Sequence, residues 1–500
     1  MKSSSSPGPD GVPSVVLKNC AENLCSPLML IFNLSLASGT FPTLWKKSVM
    51  FPVFKKGNKQ DVRNYRGITS LCAGSKLFEI LIFQSMICKA RSYISHDQHG
   101  FYLGRSISTN LTQFTSYCLK FIEKGYQIDT VYTDLKAAFD LVNHKLLLAK
   151  LRKLGMSDAF VSWLSSYLLN RQVSVKLGSQ VSQEFCNFSG VPQGSNLGPL
   201  LFSIFFNDVL LKIPKECRLG YADDLKLFLK VKTGYDCTIL QEYINMFAEW
   251  CADNRLTISI PKCAIISFSR KTNPINWSYV ISNTTIERVS SFKDLGIVLD
   301  EKLTFREHFS SIIAKANRNL GFITRISKDF RDPYCLRSLY YTIVRSGLET
   351  ASIVWSPHTA YWSRRIEAVQ SRFVRYALRF LPWSYPDELP DYKHRCLLIG
   401  METLSERRIT ARAVFVKKLI DGEIDCPSLL QQVNINVRPR NLRGMEFLRI
   451  DFRRTNYGQH EPLRAMSKVF NGFYELYDFC ISTDVFKTRI RNSALLYSFN

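Results

Sequence analysis

Long apolar runs are missing from this chain of 500 residues. A helix that crosses a bilayer needs roughly 18 to 20 consecutive apolar residues. The best candidate, residues 197–211, is interrupted by Pro199 and two polar residues, which is typical of a buried core helix. The polar start, residues 1–6, also lacks the apolar segment of a secretory signal. We therefore expect an intracellular protein of the nucleus or cytoplasm, neither secreted nor inserted in a membrane.

Regular cysteine spacing is also missing, although the chain has 14 cysteines. The one close pair, Cys20 and Cys25, has no second pair nearby that would complete a zinc site. In a chain without a secretory signal, scattered cysteines of this kind are reduced and mostly buried thiols. The sequence therefore predicts neither a disulfide scaffold nor a zinc centre.

Acidic residues are too few to balance the basic ones. The 42 Asp and Glu residues face 66 Lys and Arg residues, which gives a formal net charge of +24 and a pI of about 9.5. The excess is spread along the chain, and no dense basic cluster stands out as a nuclear import signal. Because a basic surface releases condensed counterions when it binds phosphates, nucleic acid is the favoured partner.

Two adjacent carboxylates, Asp223 and Asp224, lie between the short apolar runs 218–221 and 225–231. This pattern predicts a β-hairpin with both carboxylates at its tip, although such a pair alone is typical of a structural turn. A third carboxylate, Asp134, closes another predicted strand. Carboxylates gathered at strand ends repel one another unless a cation lies among them. Mg²⁺ or Mn²⁺ prefers such ligands, and paired metals of this kind support phosphoryl transfer.

The order of predicted elements indicates an α+β fold with a sheet packed against helices on one face. With 46% hydrophobic residues, the chain is long enough for a large core and about two to four domains. The predicted helices are 12–38, 75–91, 143–154, 157–169, 198–211, 236–252, 306–328, 332–346, 362–380 and 404–420. The predicted strands and hairpins are 49–54, 131–135, a hairpin around Gly178, the hairpin 218–231, 264–268 and 278–298. The last eighty residues show no strong period.

Two further motifs suit a phosphorylated substrate. Residues 189–195 form a tight turn with two glycines, and glycine lets a backbone approach a substrate closely. Pro199 fits the first turn of the helix that follows. A basic stretch between Lys55 and Arg66 suits a triphosphate, whereas a solvated loop is the alternative interpretation.

Together, and in this order, the motifs resemble the reverse transcriptase of non-LTR (LINE-type) retrotransposons, particularly those of the jockey and related insect groups. The resemblance extends from about residue 6 to residue 381, roughly three quarters of the chain. The segments that carry it are 6–11, 41–46, 54–57, 64–68, 98–101, 104–106, 134–140 with 143–144 and Leu151, 190–199, 221–224, 292–297, 343–349, 354–355 and 366–370.

The resemblance implies a right-hand polymerase with fingers, a palm built on an antiparallel sheet, and a helical thumb. It divides the chain into an N-terminal extension of the fingers (1–35), fingers and palm (36–300), and a thumb or connection (301–381). A basic C-terminal extension (382–500), mostly helical in this interpretation, has no clear fold from sequence.

The resemblance also assigns catalytic roles. Asp134, Asp223 and Asp224 would bind two Mg²⁺ ions, with Asp134 and Asp223 as the most direct ligands. One ion would lower the pKa of the primer 3′-hydroxyl, and the other would bind the triphosphate and stabilise the leaving pyrophosphate. Lys262 would be the lysine late in the palm that donates a proton to pyrophosphate.

Other matched residues would hold the nucleotide and the primer. Lys55 and Arg66 would bind the incoming phosphates, and Gln193 would help to position nucleotide and template. Phe139 would block a ribose 2′-hydroxyl and so select deoxynucleotides. Without the resemblance, the sequence favours a phenylalanine of the hydrophobic core. Leu295 and Gly296 would lie in the hairpin that grips the primer.

The expected reaction is therefore RNA-templated DNA synthesis from a primer 3′ end, with an RNA template, a DNA primer at a nicked target and dNTPs. The oligomeric state is not predicted. The chain departs from the family pattern at Gly67, usually proline, at Ser259, usually asparagine, and at Asn196, usually valine or isoleucine. None of these is a metal ligand, so we expect an active enzyme, with Gly67 the departure most relevant to catalytic efficiency.

No endonuclease segment precedes the fingers extension, and neither a ribonuclease H pattern nor a Cys/His knuckle follows. We therefore expect a part of a longer reading frame. Two alternatives remain at this point. One is a decayed or domesticated copy that only binds RNA through its charge. The other is a group II intron-type maturase, which the regions around Trp45 and Trp355 disfavour.

Overall fold

The computed structural model describes residues 3–329, 332–380, 390–436 and 446–493. Its α-helices are Ser14–Asn19, Ala21–Ala37, Ala73–Tyr93, Ile107–Glu123, His144–Lys153, Asp158–Leu168, Gly198–Lys212, Gly234–Asp253, Arg306–Ile326, Pro333–Tyr340, Ser346–Glu349, Ser352–Trp355, Ala360–Leu378, Tyr392–Leu398, Leu404–Ile420, Pro427–Leu430, Asn456–Gln459, Pro462–Asn471 and Thr483–Asn492. Within these segments, no helix is both long and apolar enough to cross a membrane.

The main sheet has five strands, in the order Glu287–Arg288, Ala264–Phe268, Gln127–Thr133, Asp224–Val231 and Arg218–Tyr221. The central strand, Gln127–Thr133, is buried along its whole length and pairs antiparallel with both neighbours. Its last residue, Thr133, lies opposite Leu225. This register places the end of the central strand beside the turn of the predicted aspartate hairpin.

Helices cover both faces of the main sheet, so the expectation of a single helical face is wrong. Successive side chains of a strand point to opposite faces. Ile128 and Tyr132 join a core shared with helix Ile107–Glu123, whereas Val131 joins a second core with helix Gly198–Lys212. The second helical face was not predicted from the sequence, because helix Ile107–Glu123 was not among the predicted elements.

A second sheet lies beside the first. Its path is Tyr65–Leu71, Lys47–Phe54, Arg171–Leu177 and Gln180–Val181, with Phe185–Asn187 also paired to Arg171–Leu177. The first two strands form an antiparallel hairpin, whereas Lys47–Phe54 runs parallel to Arg171–Leu177. Short hairpins also join Val280–Ile281 to Thr284–Thr285, Ser291–Asp294 to Ile297–Asp300, and Asn434–Ile435 to Leu448–Arg449.

The C-terminal third packs onto the main sheet. Helices Arg306–Ile326, Ala360–Leu378, Leu404–Ile420 and Pro462–Asn471 share one hydrophobic core with helix Ile107–Glu123. The fully buried Arg105 side chain donates to Asp425 Oδ2 at 2.9 Å, and Arg453 donates to Glu123 Oε2 at 3.1 Å. The predicted boundary between residues 381 and 382 lies outside the described residues.

Candidate active site

The two adjacent aspartates lie at the tip of a tight hairpin. Tyr221 pairs with Asp224, so Ala222 and Asp223 form a two-residue turn. Ala222 has a φ of 58°, in the left-handed region. That conformation costs roughly 1–2 kcal/mol for a residue with a Cβ, and hairpin turns of this length favour glycine there. The turn is therefore strained and needs support from its surroundings.

Gln98 supplies that support. Its Oε1 accepts from the backbone N–H of Ala222 at 2.9 Å, and its Nε2 donates to the Ala222 carbonyl at 3.0 Å. The same Oε1 accepts from Gly100 N–H at 2.9 Å. A Cβ at Gly100 would lie 2.2 Å from Ala222 N, so this close approach requires glycine. Gln98 is fully buried, and its side chain hydrogen-bonds to both the N–H and the carbonyl of Ala222.

The third aspartate reaches the same place from the central strand. Asp134 follows Thr133, which lies opposite Leu225, and its carbonyl accepts from Ser259 N–H at 2.8 Å. Lys262 Nζ donates to Asp134 Oδ2 at 3.1 Å. Both side chains of this pair are partly exposed, so the ion pair borders solvent.

The carboxylates affect one another's protonation. Desolvation, with Asp134 as the neighbouring negative charge, raises the pKa of Asp223. Desolvation raises the pKa of Asp224 to about 7, with Asp223 the largest charge contribution. Arg66 and Lys262 act in the opposite direction on the pKa of Asp223. The turn thus gathers negative charge that a cation would stabilise.

This donor set fits a hard divalent cation, because Mg²⁺ prefers carboxylate and water oxygens. Within the described part of the chain, no three carboxylate, imidazole or thiol side chains already surround a common point. Asp134 is instead engaged by Lys262. Asp134, Asp223 and Asp224 are therefore the side chains that would bind a metal ion. In this structure the ammonium group of Lys262 neutralises Asp134.

The residues assigned to the nucleotide converge on Asp140. Gln193 Nε2 donates to Asp140 Oδ1 at 2.7 Å, and the Gln193 carbonyl accepts from Thr69 N–H at 3.0 Å. Desolvation raises the pKa of Asp140, while the charges of Lys55 and Arg66 oppose that shift. Arg66 therefore acts electrostatically on both Asp140 and Asp223, which links the second sheet to the aspartate turn.

Phe139 lies against other aromatic rings. Its ring stacks on Phe202 with centroids 4.2 Å apart and meets Phe101 edge-on at 5.8 Å. It is only partly buried. The ring is thus fixed by the core on one side and retains an exposed part.

Leu295 and Gly296 form the turn of hairpin Ser291–Asp294 and Ile297–Asp300, with φ values of 46° and 94°. Leu295 lines a small cleft together with Asp224 and Tyr221. The predicted primer-gripping turn therefore adjoins the aspartate hairpin, and Leu295 is the member that reaches the cleft.

Three residues beside the predicted site residues were given no role from the sequence. Gln98 and Asp140 belonged to recognised segments, but neither had a role. Lys226 is nearly buried beside the turn and pairs with Asp294. A lysine within the apolar run 225–231 was the signal that could have identified it.

The chain is similar in sequence to known reverse transcriptases. Residues 54–299 match the family model described as Reverse transcriptase (RNA-dependent DNA polymerase). The chain is 31% identical over 384 residues to a probable RNA-directed DNA polymerase from transposon BS of Drosophila melanogaster, covering 74% of this chain and 42% of that protein. It is 28% identical over 402 residues to the RNA-directed DNA polymerase from mobile element jockey of Drosophila funebris, covering 77% and 43%.

Among solved structures, telomerase from Candida tropicalis has a TM-score of 0.41 at 12% identity, over 71% of this chain and 63% of that one. The chain spans less than half the length of the two curated relatives.

Proposed function

We propose that this chain is an RNA-directed DNA polymerase of the non-LTR retrotransposon type, because residues 54–299 match the reverse transcriptase family model and the chain is similar to the polymerases of transposon BS and mobile element jockey. It extends a DNA primer at its 3′ end with dNTPs on an RNA template. The observation that carries this proposal is the meeting of Asp134, at the end of the central strand, with the strained turn of Asp223 and Asp224.

Two Mg²⁺ ions, which Mn²⁺ can replace, are the cofactors of this proposal. Asp134 and Asp223 are their most direct ligands, and Asp224 completes the set. When bound, the ions activate the primer 3′-hydroxyl and neutralise the triphosphate. Desolvation, together with the charges of the neighbouring carboxylates, raises the pKa values of Asp223 and Asp224, which supports a cation site here.

The remaining residues bind and orient the substrate. Lys55 and Arg66 hold the triphosphate, and Arg66 is suited to bidentate contact. Gln193, held against Asp140, positions the nucleotide and the template. Lys262 is the proton donor to pyrophosphate, and the exposed part of Phe139 excludes the ribose 2′-hydroxyl. The charges of Lys55 and Arg66 beside Asp140 and the ion pair of Lys262 with Asp134 support these roles.

In this proposal the main sheet is the palm and the second sheet belongs to the fingers, within residues 36–300. Residues 1–35 extend the fingers, residues 301–381 form the thumb, and residues 382–500 form the C-terminal extension. The hairpin that contains Leu295 and Gly296 grips the primer. The primer is nicked target DNA, as in target-primed retrotransposition.

Primer extension tests the proposal. A labelled DNA primer on an RNA template is incubated with dNTPs and Mg²⁺, using the unaltered chain and Asp223→Asn. Loss of one metal ligand should lower the rate roughly 1,000-fold. The matched control is Asp158→Asn, because Asp158 is a surface aspartate whose side chain is 92% exposed.

A second candidate function is RNA binding without synthesis, which the net charge of +24 favours. Chelation of divalent cations separates the two functions. A polymerase should lose synthesis and keep RNA binding. If the unaltered chain binds RNA with steep salt dependence but extends no primer under any metal condition, the polymerase assignment is wrong and the binding function replaces it.

A further inference from the structure

A groove of about 550 Å³ shares no lining residue with the cleft at the aspartate turn. Its walls are the beginnings of helices Arg306–Ile326 and Ala360–Leu378 and the C-terminal residues 456–462. Arg270, on its rim, follows strand Ala264–Phe268, and Phe268 pairs with Ile128 near the start of the central strand. The aspartates lie beyond the other end of that strand, so the groove and the aspartates lie toward opposite ends of the central strand.

The groove has a basic and aromatic lining. None of its lining residues, all of them within the described segments, is a carboxylate. It contains the two arginines Arg270 and Arg306. Arg270 packs over the ring of Tyr457 at 4.3 Å from its centroid and donates to the Lys302 carbonyl at 2.7 Å. These contacts fix the arginine in the groove without neutralising its charge.

Two aromatic surfaces are open to a ligand. The rings of His358 and His460 stack with centroids 4.4 Å apart and planes inclined by 16°, and both residues are exposed. Partial desolvation of the ring and the charge of Arg270 lower the pKa of His358, and partial desolvation and the neighbouring His358 lower the pKa of His460. Both shifts favour the neutral imidazoles, which stack without charge repulsion. Tyr361 is 60% exposed and offers the second surface.

The loop at the groove wall is strained. Leu303 and Phe305, both lining residues, have φ values of 51° and 59°. Bulky residues rarely adopt this conformation, and such strain clusters where a structure clamps a ligand.

We infer that this groove binds one or two nucleotides of single-stranded nucleic acid. Bases stack on Tyr361 and on the His358–His460 pair, while Arg270 and Arg306 bind the phosphates. Sites for single strands combine positive charge with aromatic platforms in this way. A volume of about 550 Å³ is within the range of ligand pockets. The inference goes beyond the proposed polymerase activity, because this site is separate from the aspartates.

Equilibrium binding tests the inference with the full chain, without metal ions or dNTPs. Short labelled single strands of RNA and DNA with the same sequence are the probes. Tyr361→Ala should weaken binding by about 5- to 150-fold, and Tyr361→Phe should bind like the unaltered chain. Arg306→Gln should reduce the slope of log affinity against log salt by about 0.7.

The matched control is Tyr334→Ala, because Tyr334 is a 61% exposed ring outside the groove. Since Tyr361 is exposed, its removal leaves the core intact, and thermal unfolding checks this. A loss with RNA alone identifies an RNA site, and an equal loss with DNA identifies a site for either strand; both support the inference. If Tyr361→Ala binds both strands as the control does, the inference is wrong, whether or not the chain extends primers.

Discussion

Lys226 and Asp294 form an ion pair beside Asp224, and their side chains are only 4% and 5% exposed. The pair joins strand Asp224–Val231 to strand Ser291–Asp294 of the hairpin that contains Leu295. Tyr132 also donates to Asp294 Oδ2 at 3.4 Å, and Lys226 Nζ lies 4.6 Å from the ring centroid of Phe114. The turn that carries Asp223 and the turn that carries Leu295 are thus connected through one buried pair of charges.

Breaking this pair should destabilise the protein. Lys226→Met leaves Asp294 buried without its partner, which should lower the free energy of unfolding by about 3–5 kcal/mol. The double variant Lys226→Met with Asp294→Leu removes both charges and should be more stable than the single variant. Urea unfolding measures both. A double variant less stable than the single one would contradict this account.

Removing the amide of Gln98 should impair turnover more than RNA binding. Gln98→Ala leaves the backbone groups of Ala222 unpaired, and the strained turn then loses its fixed position. A displacement of about 1 Å at reacting groups lowers rates roughly 100-fold. Primer extension gives turnover, and the control is Gln183→Ala, because Gln183 is exposed. Equal turnover in the two variants would refute a positioning role.

The strain at Ala222 predicts opposite effects of two substitutions. Ala222→Gly removes the Cβ that disfavours a φ of 58° and should raise the free energy of unfolding by about 0.5–1 kcal/mol. Ala222→Val should lower it, because a β-branched residue is least tolerated there. Thermal unfolding of both variants measures the difference. Stabilisation by valine would show that the turn is not strained.

Truncating Phe139 should relax sugar selection. In Phe139→Ala the ring that lies on Phe202 is gone, and space opens for a 2′-hydroxyl. We expect incorporation of ribonucleotides relative to deoxynucleotides to rise by about 10- to 100-fold. Because this is a ratio, partial unfolding does not alter it. Phe188→Ala, at an 86% exposed ring, is the control; an unchanged ratio in Phe139→Ala would place that side chain in a purely structural role.

Stability should fall as the pH drops below about 6.5, partly because of His99. Burial, with Arg105 as the largest charge contribution, lowers the pKa of His99 to about 3. Above about pH 6.5 the imidazole is neutral in both states. Below it only the unfolded chain takes up the proton, so the free energy of unfolding should fall by about 2 kcal/mol between pH 6.5 and 5.

The variant His99→Asn should lack that part of the pH dependence. His308, whose pKa burial lowers to about 4, acts in the same direction and remains in the variant. The relevant quantity is therefore the difference between the two stability curves, measured by chemical unfolding at several pH values. Parallel curves would exclude His99 as the cause.

Local pattern predicted most elements. The expected helix 198–211 is found as Gly198–Lys212, and the expected strand 264–268 is found as Ala264–Phe268. The expected strand 131–135 is found as Gln127–Thr133, and the expected helix 332–346 is interrupted by a π-helical segment, Tyr341–Arg345. The assigned roles of the site residues and the domain boundaries stay predictions, because geometry alone does not test a role.

The sequence by itself determined most of the elements and the aspartate turn, because hydrophobic periodicity and turn chemistry depend on neighbours a few residues apart. Its motifs, taken in order, also carried the resemblance to the family. Only the tertiary structure decided that Gln98 hydrogen-bonds to Ala222 and that Lys226 pairs with Asp294. It also decided that the C-terminal helices share a core with helix Ile107–Glu123. These contacts join residues separated by 68 positions or more, and no local pattern records which distant segments the topology brings together.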